Sequence, residues 1–175
     1  MLRDVLEDFG IQVNYMSIGQ ARHLLAAFGG DRAVAPYVIV CCHGGDDVIL
    51  MPELGGEVAA KQPFNSRLGP DEVRKYLRFP GSTVLCTGCD TGNPELARAF
   101  LDAGARRYIA PSDAPYGHAS VFAILLLFYE LTAGRTVEQA FERLQSYDDE
   151  LSMWRMYETA ADGRGSLVTT PEPVR

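Results

Sequence analysis

Basic charge is scarce in this sequence. Lys and Arg number 16 against 23 Asp and Glu, which leaves a net charge of −7 over 175 residues. No Lys/Arg cluster stands out locally, so the concentrated positive face that a phosphate-backbone binder needs is missing, and nucleic acid is not an expected partner. Long hydrophobic runs are missing too. The longest, Val121 to Phe128, falls far short of the roughly 20 residues that a membrane-spanning helix requires. The opening MLRDVLEDFG has neither the charged-then-apolar pattern nor the cleavage site of a signal peptide. A membrane is therefore not an expected partner either. Internal repeats are absent, and no Pro-, Gly- or Ser-rich linker divides the chain. Residues 1–162 accordingly read as one domain and 163–175 as a loosely ordered tail. Cysteine is sparse, at four residues (Cys41, Cys42, Cys86 and Cys89) in two tight pairs inside apolar segments. That is not the dispersed framework of a secreted disulfide scaffold. It points to a reducing cytoplasm, where such cysteines serve catalysis or metal binding.

An apolar content of 47% is enough to build one well-buried core. The segment through Phe9 is a short helix candidate broken by Gly10. Ile11 to Ile18 alternates enough to predict a strand, and Gln20 to Phe28 a helix closed by Gly29 and Gly30. Tyr37 to Cys42 is a short β-branched run between Pro36 and His43-Gly44-Gly45, which reads as a strand buried on both faces. Val48 to Pro63 has the mixed character of a hairpin or excursion. Gly69-Pro70-Asp71-Glu72 opens a helix whose apolar face is Val73, Tyr76 and Leu77.

Pro80-Gly81 turns the chain into a second buried-strand run, Ser82 to Cys86, followed by Thr87-Gly88-Cys89-Asp90-Thr91-Gly92. Asn93-Pro94-Glu95 starts the next helix, with Asn as cap and Pro in the first turn. Arg107 to Ala110 is a third strand, Ala119 to Ala133 a long apolar helix, and Thr136 to Gln139 a capping box. Val137, Phe141, Leu144, Leu151 and Trp154 keep helical spacing, and Trp154 to Tyr157 is compatible with helix or with a last strand. Strands alternating with helices of this length predict a three-layer α/β/α domain with a mostly parallel central sheet.

In such a sheet, ligands bind beyond the carboxyl ends of the strands. His43 and Cys89 each follow a buried-strand run directly, so neighbouring strands would deliver both to one edge. A thiolate is the reactive form of cysteine, and an imidazole can take its proton and return it to a leaving group. The helix starting at Pro94 brings its positive end near Cys89. The backbone N–H groups of Gly44 and Cys89 can form an oxyanion hole if they point at one spot.

These residues resemble a known family. From Val84 to about Ala140 the chain is similar to the caspase-like (clan CD) cysteine peptidases, and within them to the CHAT branch related to separases. Where that branch ends a buried strand in a Ser-Ala-Cys-Glu-Thr-Gly type motif, this chain has Thr87-Gly88-Cys89-Asp90-Thr91-Gly92. The Leu96 to Ala105 helix with its Ala-Gly-Ala turn, the strand Tyr108-Ile109-Ala110, Phe128-Tyr129-Glu130-Leu131, Gly134 and Glu138-Gln139-Ala140 follow in the family's order. Upstream, Val38 to Gly44 looks like its strand ending in His-Gly.

The likeness covers about two-thirds of the chain. It implies a cysteine endopeptidase with Cys89 as nucleophile, His43 as base and Gly44 as oxyanion donor, a peptide or protein substrate, no cofactor, and association into a homodimer or a larger signalling assembly. Three features depart from the family. Pro111-Ser112-Asp113-Ala114-Pro115-Tyr116 stands where CHAT proteins carry a Trp-containing acidic segment, which leaves Asp113 as the one substrate-pocket candidate. The chain opens near the helix that follows the family's first strand, so that strand is expected to be missing. No counterpart of the repeat or sensor domains fused to many members is expected from these residues.

Rival readings rest on the same residues. Cys86-x-x-Cys89 with Cys42-His43 is an acceptable zinc set, although Cys86 lies inside a strand rather than in a zinc-knuckle turn. A thioredoxin-like role for that pair would require it to open a helix directly. A non-catalytic caspase-like module for binding or assembly is the alternative from another class. Cys41, Cys42 and Cys86 are most simply core residues. Asp46 and Asp47 read as a solvated loop, with orientation of His43 as the functional alternative, and His23 and His118 as ordinary helical positions.

Overall fold

The computed structural model describes residues 1–159; the proposed tail, 163–175, lies outside them. In chain order the elements are α1 (Leu2–Asp8), α2 (Ala21–Phe28), β1 (Tyr37–Val40), β2 (His43–Gly45), β3 (Val48–Leu50), α3 (Gly56–Ala59), β4 (Arg67–Leu68), α4 (Pro70–Tyr76), β5 (Thr83–Cys86), α5 (Pro94–Asp102), β6 (Arg107–Pro111), α6 (Gly117–Thr132), α7 (Val137–Gln145) and β7 (Trp154–Glu158). The fold is α/β. Its main sheet has the order β1-β5-β6-β7, with β5 parallel to both β1 and β6. The Thr159 N–H donates to the Arg106 carbonyl at 3.2 Å, which sets the end of β7 beside the start of β6 and makes that edge antiparallel. A second sheet, β2-β3-β4, is antiparallel.

The chain forms two compact units. The first holds Met1–Ser17 and Pro115–Trp154, that is, α1, α6 and α7. In it α6 buries Ala123, Ile124, Leu127 and Phe128. The Glu130 carboxylate, also buried, is paired with Arg135 and Arg143. Thr136 and Gln139 cap α7 reciprocally, as their spacing predicts. Among the described residues, no helix is long and apolar enough to cross a membrane.

The second unit runs from Ile18 to Ala114 and resumes at Arg155. β5 has a strand neighbour on each side, and every one of its residues is buried, so both of its faces are covered. Val84, Cys86, Tyr108 and Ala110 present one face of the sheet to Val73 and Leu77 near α4 and to Leu96, Ala97 and Phe100 of α5. An aromatic file crosses this core. Phe28 meets Phe79 at 5.0 Å, Phe79 meets Phe100 at 5.4 Å, and Phe100 stacks on Tyr108 at 4.5 Å between ring centroids.

Two expectations need correction. Ile11 to Ile18 forms no strand: its alternation is real, but no neighbouring strand pairs with it and most of it is exposed, so nothing rewards extension with a ladder. The run Tyr37 to Cys42 is not buried on both faces. β1 stops at Val40, and only Val38 within it is fully buried, because β1 sits at the end of the sheet with β5 as its one strand neighbour among the described residues. Beyond Cys42 the chain does not leave the strand region either, since His43-Gly44-Gly45 is itself a strand. Trp154 to Tyr157, compatible with two states in sequence, is β-structure.

Candidate active site

The ends of β1 and β5 fix this region. Their parallel register pairs Val40 with Cys86, so both strands finish at the same level and His43 and Cys89 follow within three residues of that pair. Thr87 ties the two exits together. Its N–H donates to the Val40 carbonyl at 3.1 Å, and its hydroxyl oxygen accepts from the Cys42 N–H at 3.2 Å.

After Cys42 the chain enters a hairpin. Asp46 and Asp47 have φ of 48° and 61°, left-handed at both central positions, as a two-residue type I′ turn demands. Aspartate tolerates this conformation better than most residues. The pair that closes such a turn, Gly45 with Val48, is hydrogen-bonded. Opposed pairs alternate along an antiparallel ladder, so Gly44 and Ile49 are not, and the Gly44 N–H faces away from β3. The Gly44 nitrogen lies beside Gly88, where an added Cβ would stand 2.9 Å from it. A Cβ on Gly44 would overlap the Cys89 carbonyl oxygen and lie 2.6 Å from Thr91 Cγ2. The backbone that carries His43 therefore lies directly on the backbone that carries Cys89. Both expected dyad members are solvent-accessible there, His43 exposed and Cys89 partly so.

The Cys89 loop is held from several sides. Asp90 has φ of 58°, and its N–H donates to the Asp113 carbonyl at 3.1 Å. This brings the Asp113 segment beside the loop, while the Asp113 carboxylate accepts from its neighbour's N–H at Ala114, 2.8 Å away. The Thr91 hydroxyl, fully buried, donates to the Gly88 carbonyl at 2.6 Å. Tyr108 donates to the Thr91 carbonyl at 3.0 Å, and Tyr157 to the Gly92 carbonyl at 2.5 Å. Burial raises the pKa of both phenols, that of Tyr108 well above its ordinary value, so both remain protonated donors. Gly92 has no room for a side chain: a Cβ would stand 2.5 Å from the Ala110 carbonyl oxygen and 2.7 Å from the Pro111 carbonyl carbon.

Asn93 does two jobs. Its Oδ1 caps α5 by accepting from the Leu96 N–H at 2.8 Å, and its amide donates to the Asp90 carbonyl at 3.1 Å and to the Asp47 carbonyl at 3.3 Å. It thus clips the hairpin tip to the Cys89 loop. Asn93→Ala is expected to cost about 1 kcal/mol for the lost cap and, by freeing the hairpin, to raise the protease susceptibility of the 44–48 segment. Limited proteolysis beside a urea melt measures both effects.

The remaining sequence candidates sort differently. Asp46 pairs with Arg67 at 3.1 Å on the surface, so its carboxylate is engaged by a guanidinium. Asp47 contributes its carbonyl to Asn93. Cys41 is exposed, which corrects its placement in the core, and Cys42 is only partly buried, whereas Cys86 is fully buried. His118 is exposed and stacks on Tyr116 at 5.7 Å. Among the described residues, no three His, Cys, Asp or Glu side chains converge closely enough to hold a metal ion, so the set Cys42, His43, Cys86 and Cys89 is not assembled as zinc ligands. Sequence reasoning missed the supporting roles of Thr91, Tyr108 and Tyr157, and took Asn93 for a helix cap alone.

No protein-family model matches this chain, and no curated protein matches it.

Proposed function

We propose that the protein is a caspase-like cysteine endopeptidase, acting in the cytoplasm on peptide or protein substrates through Cys89 and His43. One observation carries this reading: the Gly44 backbone is seated on the Cys89 carbonyl, so the imidazole and the sulfur leave adjoining backbone segments at the carboxyl end of parallel strands. The Cys89 thiolate attacks the scissile carbonyl carbon. The oxyanion that forms is held by the N–H groups of Gly44 and Cys89, and His43 delivers the thiol's proton to the departing amine. Water, deprotonated by His43, then releases the acyl group. The partly exposed sulfur and exposed imidazole leave the substrate an open approach, and the Asp113 segment, tied to Asp90, is the nearest candidate wall for the residue that precedes the cut.

Incubation with a peptide library diverse at that residue is expected to give cleavage that stops when one thiol, mapped to Cys89, is alkylated. Absence of cleavage of any member by well-folded protein, with Cys89 still open to alkylation, would leave a non-catalytic binding or assembly module in place of the hydrolase.

A further inference from the structure

A second pair of sulfurs lies directly beneath this site. Cys42 Sγ and Cys86 Sγ are 3.4 Å apart, joined by an S–H···S hydrogen bond. The pair is asymmetric: Cys86 is fully buried in the middle strand, and Cys42 is partly open beyond the end of β1. The two sulfurs need approach by only about 1.4 Å to reach disulfide length, about 2.05 Å. The geometry points to Cys42 and Cys86 as a dithiol that a hydroperoxide closes to a reversible disulfide, displacing the His43-Gly44 step against Cys89 as it closes.

The chemistry balances with the peroxide as oxidant. The Cys42 sulfur, the accessible one, attacks a peroxide oxygen. The O–O bond breaks, alcohol or water leaves with the thiol proton, and Cys42 becomes a sulfenic acid. The Cys86 sulfur then attacks Cys42 Sγ, the S–O bond breaks, and hydroxide departs as water with the Cys86 proton. Two thiols lose two electrons and the peroxide gains them. A small dithiol reductant reverses the change by exchange. The surroundings suit Cys86 for the resolving step. Burial, the largest influence, pushes its thiol up, but the hydrogen bond with Cys42 and the polar groups of Thr91, Gly88 and Tyr108 around it together outweigh burial and bring it to about 7. Cys42 is pushed up by its hydrogen bond to Cys86 and by burial, so its proton must leave before it attacks, and the Cys86 sulfur, 3.4 Å away, is the base that takes it.

Closure must move Cys42 rather than Cys86, since β5 is bonded to strands on both sides. Cys42 drags His43 and Gly44 with it. Gly44 has no slack against the Cys89 carbonyl, and Cys42 Sγ already stands 3.1 Å from where a Cβ on Gly88 would be. The displacement therefore falls on the contact that sets Cys89.

The test is thiol counting and intact mass on the full chain after hydrogen peroxide. Free thiols are expected to fall from four to two with the loss of two hydrogens in mass. The same bridge is expected in Cys41→Ser and Cys89→Ala and absent from Cys42→Ser and from Cys86→Ser, two variants of which one suffices if the buried substitution unfolds the protein. In oxidised Cys41→Ser, alkylation of Cys89 by iodoacetamide is expected to change severalfold and to recover on reduction. Failure to form the bridge, a bridge that survives Cys42→Ser, or an unchanged Cys89 alkylation rate in the bridged protein would each overturn the proposal. None of these readouts requires hydrolysis, so a protein that cleaves no peptide still passes or fails this test on its own.

Discussion

Cys89→Ala is expected to reduce peptide hydrolysis on the order of 10⁴-fold or more, because removal of a nucleophile leaves only oxyanion binding and substrate positioning. His43→Ala is expected to cost about 10²–10⁴-fold, the usual worth of a positioned proton carrier, while leaving Cys89 open to a small alkylating reagent. The two losses should not add in the double variant, since each residue is useless without the other. Cys86→Ser serves as the contrast: labelling of Cys89 by a peptide electrophile should survive it. Equal labelling of wild type and Cys89→Ala would remove the nucleophile assignment.

Gly44→Ala is expected to damage both stability and turnover, and Gly45→Ala neither. At Gly44 the added methyl meets a backbone carbonyl, which cannot rotate away, and the buried Thr91. Overpacking against such neighbours costs about 1–3 kcal/mol. At Gly45, one residue on in the same strand, no atom lies within 4 Å of the added Cβ, and a substitution there should stay within about 0.5 kcal/mol. Urea midpoints and peptide turnover for the two variants decide the matter. Equal behaviour would mean that the hairpin is not seated on the Cys89 loop as described.

The parts of the fold that were legible in the sequence are those where local chemistry and burial agree. Thr136 with Gln139, Asn93 with Pro94, and Gly69 with Glu72 each carry their helix start in a few letters, and Gly69 N–H does donate to Glu72 at 3.1 Å. Thr83 to Cys86 lacks polar-apolar alternation because both of its faces are covered. Ile11 to Ile18 misled because alternation describes what a strand could bury, whereas pairing depends on a partner that is distant in sequence. Tyr37 to Val40 misled in the opposite sense: its letters suit an interior strand, and its position at the end of the order β1-β5-β6-β7 is a topological fact that composition does not encode.

The site divides in the same way. His43, Gly44 and Cys89 stand out because strand ends followed by glycine-flanked reactive residues form a local pattern. Tyr108 and Tyr157 do not, since each looks like one more aromatic in an apolar strand. Their hydroxyl contacts to Thr91 and Gly92 span 17 and 65 residues, and nothing near either tyrosine in sequence announces them. The pairing of Cys42 with Cys86 across 44 residues is hidden for the same reason, although both letters are visible.

The two phenols grip the turn by its amide oxygens, which every amino acid supplies. Evolution can therefore rewrite the exposed letters around the sulfur without loosening the mount. Drift in the two tyrosines, or in the glycine wedged behind them, would disturb the scaffold while every reactive group remained in the sequence.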